Sequence, residues 1–145
     1  MTTVREPFRA RSSSVALQTA IVKALEAEGI RVWDGTIANP QLPYIKIGEE
    51  LTSGKVTSKD TYGKVHNLTL HVWSDYPSSL ETKAIVDFSV DRLVNSPLEL
   101  GDGFCVINSR LDHVRYTPVS NGAYNNMRAY LFLDFEVSDS LVNPR

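Results

Sequence analysis

The sequence predicts an α+β fold, a mainly antiparallel sheet of about five strands with two helices packed on one face. Two observations predict it: apolar residues recur with helical spacing in two separate segments, and they alternate with a period of two in the segments that follow each one. A third observation sets the scale, because 145 residues suit a single domain over 1–145. A chain of this length buries roughly 68–70% of the surface it exposes when unfolded, enough to fold without disulfides or a structural metal. The composition, 42% hydrophobic and 22% charged, excludes the disordered, collagen-like and disulfide-rich classes.

Residues 1 to about 12 are polar and without period, and read as a flexible arm outside the core. The serines at 12–14 then offer N-cap oxygens, Leu17, Ile21, Ala24 and Leu25 form one apolar stripe, and Gly29 ends the first helix. Residues 30–33 are short and β-prone, and Asp34-Gly35 with Asn39-Pro40 marks a turn-rich connection. From Pro43 the period is two, with Tyr44, Lys46 and Gly48 on one side and Ile45, Ile47 and Glu49 on the other. In the next strand, residues 64–73, Leu68, Leu70 and Val72 oppose Asn67, Thr69 and His71. Between these strands, residues 52–63 are so rich in Ser, Thr, Lys, Asp and Gly that a long exposed hairpin loop is expected there.

Ser78-Ser79-Leu80-Glu81 matches a capping box, so a second helix should start there and run to about Asn95, before Pro97. Its apolar residues, Leu80, Ala84, Ile85, Val86, Phe88, Val90, Leu93 and Val94, cover more than one face, as in a helix central to the core or partly buried by another subunit. Two more strands are expected at about 104–116 and 127–137, joined through residues 117–122. The last alternates most clearly: Met127, Ala129, Leu131, Leu133, Phe135 and Val137 share one face, and Arg128, Tyr130, Asp134 and Glu136 share the other. Phe132 interrupts that polar face beside Tyr130 and marks a candidate contact surface. Residues 138–145 read as a polar tail.

Charge and motifs argue against catalysis and against a nucleic-acid grip. Fifteen Lys plus Arg against 17 Asp plus Glu give a net charge of −2, and Arg5, Arg9 and Arg11 form the densest basic stretch. His66 and His71 lie five apart on a strand and should face opposite sides, so they cannot share a metal ion. Asp112 and His113 are adjacent and should diverge likewise, which undercuts an orienting His–carboxylate pair. Phosphate-cradling glycine motifs, GxSxG and HExxH do not occur, and Gly101-Asp102-Gly103 reads as a turn. Cys105, among Phe104, Val106 and Ile107, is expected to be a small buried hydrophobe. The N-terminus lacks an apolar signal region and no stretch reaches membrane-span length, so synthesis in the cytoplasm and no membrane partner are expected.

Several strings, in order, carry a family likeness: LQTAIVKAL at 17–25, Val32-Trp33-Asp34-Gly35, Pro43-Tyr44-Ile45-Lys46-Ile47-Gly48, HNLTLHVWS at 66–74, and the capped helix with Glu81, Lys83, Ala84 and Ile85. Together they resemble the tail completion proteins of long-tailed bacteriophages, also called tail terminators or tail-to-head joining proteins. The likeness covers residues 15–95 well; beyond that, only two final strands with a turn at Asn121-Gly122 are similar. It implies a structural virion protein, not an enzyme, with no cofactor and no metal. Such proteins form a homohexameric ring at the head-proximal end of the tail tube, stop tube growth and join tail to head. The implied partners are further copies of the chain, the major tail tube protein and a head connector or stopper protein, while genome DNA passes the lumen without specific binding. The implied location is the tail–head interface of the virion, after synthesis in the host bacterial cytoplasm. A neighbouring role, a head-completion or connector ring protein of the phage neck, needs similar self-complementary surfaces and stays open.

The candidate contacts follow from this likeness and from the patterning. Lys55, Lys59, Asp60 and Tyr62, in the polar 52–63 segment, are expected to meet the tail tube or connector. Tyr130 and Phe132 are expected at the ring interface.

Overall fold

Ser12 starts the first helix, α1 (Ser13–Glu26), by accepting a hydrogen bond from the Val15 N–H in an extended N-cap conformation. Leu17, Ala20, Ile21 and Leu25 form its buried stripe, and Gly29, at φ +90°, turns the chain out of it. The remaining elements are β1 (Arg31–Trp33), β2 (Tyr44–Ser58), β3 (Thr61–Trp73), α2 (Leu80–Leu93), β4 (Phe104–Asn121) and β5 (Tyr124–Asp139). This is a computed structural model, and it describes residues 5–35, 41–58, 61–121 and 124–141. The strands form one sheet in the order β1-β2-β3-β5-β4, with β1 parallel to β2 and the other neighbours antiparallel. The fold is α+β, and both helices lie on the same face of the sheet. Leu17, Ile21 and Leu25 of α1 and Ile85, Val86 and Leu93 of α2 share a buried cluster with sheet residues. Leu68, Leu70 and Val72 of β3, and Ala129, Leu131, Leu133, Phe135 and Val137 of β5, supply the sheet's side of it, as their alternation predicts.

Several boundaries differ from the sequence-based expectation. Residues 52–63 are not a loop: β2 runs to Ser58 and β3 starts at Thr61, with pairs from Thr52↔His66 to Val56↔Tyr62. A stretch of Ser, Thr, Lys and Gly reads like a loop because its sequence shows no apolar alternation, while pairing between β2 and β3, and of β3 with β5 from Tyr62 onward, satisfies its backbone. The β4–β5 hairpin is longer than expected for the same reason, taking in residues 117–121 and Ser138 and Asp139 of the expected tail. Pro118 is accommodated because β4 is an edge strand. α2 ends at Leu93, and its capping box is not formed: the Ser79 side chain makes no capping bond, and Glu81 accepts from Ser74 instead, at 2.7 Å. Its buried residues, Thr82, Ile85, Val86, Ser89 and Leu93, make one stripe, and Leu80 stands exposed. Among the described residues, no helix is long and apolar enough to cross a membrane.

An irregularity in β2 decides how its two ends face. Ile47 pairs with Leu70 but Glu50 pairs with Leu68, so one extra residue is inserted between them. The bulge takes Glu49 off the Ile45–Ile47 face and delivers Glu50 to the helix side, beside α1. Gly48 permits it: a Cβ there would lie 2.6 Å from His71 Nε2.

Candidate assembly surface

With both helices on one side, the other side of the sheet carries no second layer among the described residues. Its side chains form rows across the strands, fixed by register. Tyr44 of β2 stacks on Trp73 of β3, with ring centroids 5.8 Å apart, and the Arg128 guanidinium lies 3.4 Å from the centroid of Trp73. The next row is Lys46, His71, Tyr130 and Arg115. There the His71 ring meets Tyr130 edge-on at 4.8 Å, and Arg115 sits over Tyr130 at 5.5 Å. Thr69, Phe132 and His113 follow, with His113 stacked on Phe132 at 4.2 Å. The row after that is Leu51, Asn67, Asp134 and Arg110.

Tyr130 and Phe132 are therefore where the alternation of β5 places them, on the uncovered face, and each is bracketed by neighbours that its own strand does not reveal. Asp134 is held by Asn67 and by Arg110. Burial pushes its carboxyl up, but the hydrogen bonds from those two residues outweigh burial and hold it below the usual range. Asp112 and His113 do not diverge: a register shift between Leu111 and His113 turns both to this face, and Asp112 Oδ2 lies 2.8 Å from His113 Nδ1. Glu49, with its side chain 82% exposed, stands 3.6 Å from His71 Nε2. A groove of about 440 Å³ crosses this face, with Phe132 and Leu51 among its apolar lining and Glu49, Asp112 and Asp134 among its acidic groups. Cys105 is exposed, not buried, because the sheet period puts Phe104 on the helix side and sends Cys105 to the uncovered one.

Of the other candidates, Lys55 lies on β2 opposite Gly63, and Tyr62 is a half-buried residue of β3 lining a second cavity with Arg11, Lys64 and Phe104. Lys59 and Asp60 lie outside the described residues. The arm is anchored at its end, where Arg11 pairs with Asp139 at 2.8 Å, donates to the Asp102 carbonyl and stacks on Phe104. Residues 5–11 are otherwise exposed, and Phe8 is 90% exposed.

A polar cluster on the helix side has no counterpart in the sequence reading. His66, fully buried, has Nε2 3.0 Å from Ser13 Oγ and Nδ1 3.0 Å from Glu50 Oε2. Ser14 and Thr52 donate to the same carboxylate oxygen at 2.7 and 2.5 Å. An ionised carboxylate only accepts, so in the neutral ring Nδ1 donates to Glu50 and Nε2 accepts from the Ser13 hydroxyl. Burial pushes the Glu50 carboxyl up, and the bonds from Thr52, Ser14 and His66 together bring it below the usual range. The order Ser–His–carboxylate is that of a nucleophile with its base, but the ring is enclosed and three hydroxyls crowd it. The arrangement clamps the start of α1 to β2 and β3. His66 and His71 face opposite sides of the sheet, as their odd spacing predicts.

Comparison with known proteins bears on what the uncovered face is for. No curated protein matches the chain. Its fold is similar to that of a chain in a solved structure described as "Virion of native gene transfer agent (GTA) particle", with a TM-score of 0.70 and 23% identity over 89% of this chain and 99% of that one. At that identity the likeness shows the fold. A family model described as tail completion protein gp17 matches residues 11–125, which span α1 through β4 and the start of β5. The chain therefore belongs to the tail completion protein gp17 family, bacteriophage proteins with a structural tail-completion role in the virion.

Proposed function

We propose that this chain assembles as a homohexameric ring on the head-proximal end of the phage tail tube, where it stops tube growth and provides the surface that joins the head. The observation that carries the reading is the uncovered sheet face: a layer of aromatic side chains, arginines and carboxylates over which the described residues place no helix, in a chain of a structural tail-completion family. Antiparallel sheets commonly leave one face to solvent, but that face is then mainly polar. Aromatic residues and arginine are the types enriched at protein interfaces. A ring needs one surface to meet a different surface of the next copy, and the edge strands β1 and β4 flank this face on either side.

In this reading Tyr130 and Phe132 lie at the contact between copies. The β2–β3 hairpin, which carries Lys55 and Tyr62 and connects through Lys59 and Asp60, meets the tube or the head connector in this reading. DNA passes the lumen without being gripped, which suits a net charge of −2. The test is Phe132→Asp, examined by circular dichroism and by the capacity of tails to join heads. A folded variant that cannot complete tails is expected; a folded variant that completes them normally overturns the assignment of this face.

A further inference from the structure

Two features of the structure are complementary: the N-terminal arm, which is anchored at Arg11 on the helix-bearing side, and the groove on the uncovered face. The arm presents Phe8, 90% exposed, between Arg5 and Arg9, all outside the core. The groove on the uncovered face presents Phe132 and Leu51, the latter 69% exposed, between Glu49 of β2 and Asp112 of β4. Glu6 lies between Arg5 and Arg9, accepting from Arg5 through its carbonyl at 3.2 Å and standing 4.0 Å from Arg9, in exposed contacts that are easily exchanged. An aromatic side chain with two cations beside it thus matches an apolar floor flanked by two carboxylates.

We propose that the arm of one copy docks in this groove of the next copy, with Phe8 on the Phe132–Leu51 floor and Arg5 and Arg9 towards Glu49 and Asp112. The inference deepens the ring reading and rests on it. The occupant is a second copy because of where the arm starts. Arg11 is fixed to Asp139, and Asp139 shares the helix-bearing side of the sheet with Val137 and Phe104. The groove opens on the other side. The six residues from 5 to 10 span at most about 20 Å when fully extended, and the route to the chain's own groove leads around the sheet.

The groove's acidic groups have partners of their own. Glu49 faces His71, Asp112 faces His113 and, at 3.8 Å, Arg110, and Asp134 is bonded to Arg110 and Asn67. Arg110 is the one arginine within ion-pair range of these carboxylates among the described residues. Glu49 and Asp112 remain exposed enough to take a second cation, with side chains 82% and 47% exposed. Docking is heterologous, arm to groove, so it propagates from copy to copy, which is the kind of contact a ring requires.

The experiment uses the full-length chain with Cys105→Ser, which removes an exposed thiol. Phe8→Cys and Leu51→Cys are introduced together, the variant is incorporated into tails, and isolated tails are treated with a short bismaleimide. The expected result is a ladder of covalent multimers, with dimers only when the two single variants are mixed. As a second measurement, Arg5→Glu with Arg9→Glu should weaken incorporation about tenfold, and adding Glu49→Lys with Asp112→Lys should restore it. Rings that form at the tail end without cross-links, and that tolerate the arm reversal, overturn this inference and leave the ring reading standing. Tails that carry no ring of this chain overturn both.

Discussion

Replacing His66 with leucine should destabilise the protein by about 0.5–3.5 kcal/mol, centred near 2, while leaving its fold intact. Three contributions set that value. Ser13 Oγ, on a residue only 5% exposed, loses its partner at 3.0 Å and is left unsatisfied, which costs about 1–3 kcal/mol. Glu50 loses one charge-assisted bond, worth roughly 1.5–3 kcal/mol, but it keeps Ser14 and Thr52, and its side chain is 22% exposed to water, so the lower end applies. Leucine then regains about 1–2 kcal/mol by filling a fully buried site with apolar atoms. A domain of this size has on the order of 5–15 kcal/mol in hand, so the variant still folds. The assay is urea unfolding followed by the fluorescence of Trp33 and Trp73, with an unchanged slope and a lowered midpoint. Ser13→Ala serves as the second arm of a double-mutant cycle, and a coupling of at least about 1 kcal/mol is expected for groups in one network. Additivity of the two changes, or a His66→Leu variant no less stable than the parent, refutes the idea that these residues act as one clamp.

The same carboxylates give the pH dependence its sign. Glu50, Asp134, Asp139 and Glu49 are all held below their ordinary values. The folded state therefore binds fewer protons than the unfolded one. Its extra stability is complete above the unfolded carboxylate values, about 3.9–4.3, and is lost as pH falls through the lower folded values. Urea midpoints should be flat from pH 7 to 5 and fall towards pH 3, less steeply in Glu50→Gln; a midpoint that rises on acidification contradicts the assignment. Replacing residues 57–61 with Asn-Gly, between the paired Val56 and Tyr62, should close the β2–β3 hairpin with a two-residue turn, leave the urea midpoint unchanged and abolish tail–head joining, so normal joining would remove this hairpin from the contact set. Phe135→Ala, in a fully buried site among Leu131, Leu133 and Leu68, should cost about 3–5 kcal/mol, and a loss under about 1 kcal/mol would be inconsistent with the packing described.

What the sequence made legible follows one physical rule: burial of one face writes a period. β5 was readable residue by residue because Ala129 to Val137 alternate against two helices, and α1 because Leu17, Ile21 and Leu25 face the sheet. The β2–β3 hairpin was not readable, since its Ser, Thr, Lys and Gly show no apolar alternation and its pairing partners come from other strands. Bulges hid the rest. Glu50 meets His66 only because an extra residue near Gly48 rotates β2, and Asp112 meets His113 only because β4 slips between Leu111 and His113. Cys105 sits among apolar neighbours in sequence yet faces outward, because β4 is an edge strand with one face covered. Tyr130 and Phe132 could be singled out from β5 alone. Their neighbours Arg115, His71 and His113 required the register of β3, β5 and β4, which no single strand carries.

The most direct test of the central claim is electron microscopy of headless tail tubes incubated with the purified, labelled protein, scoring where the label binds and whether the tubes then accept heads. The account predicts label at one end only, the head-proximal one, with sixfold symmetry in end-on views and restored joining. Label on capsid portals, or along the tube wall, would contradict it.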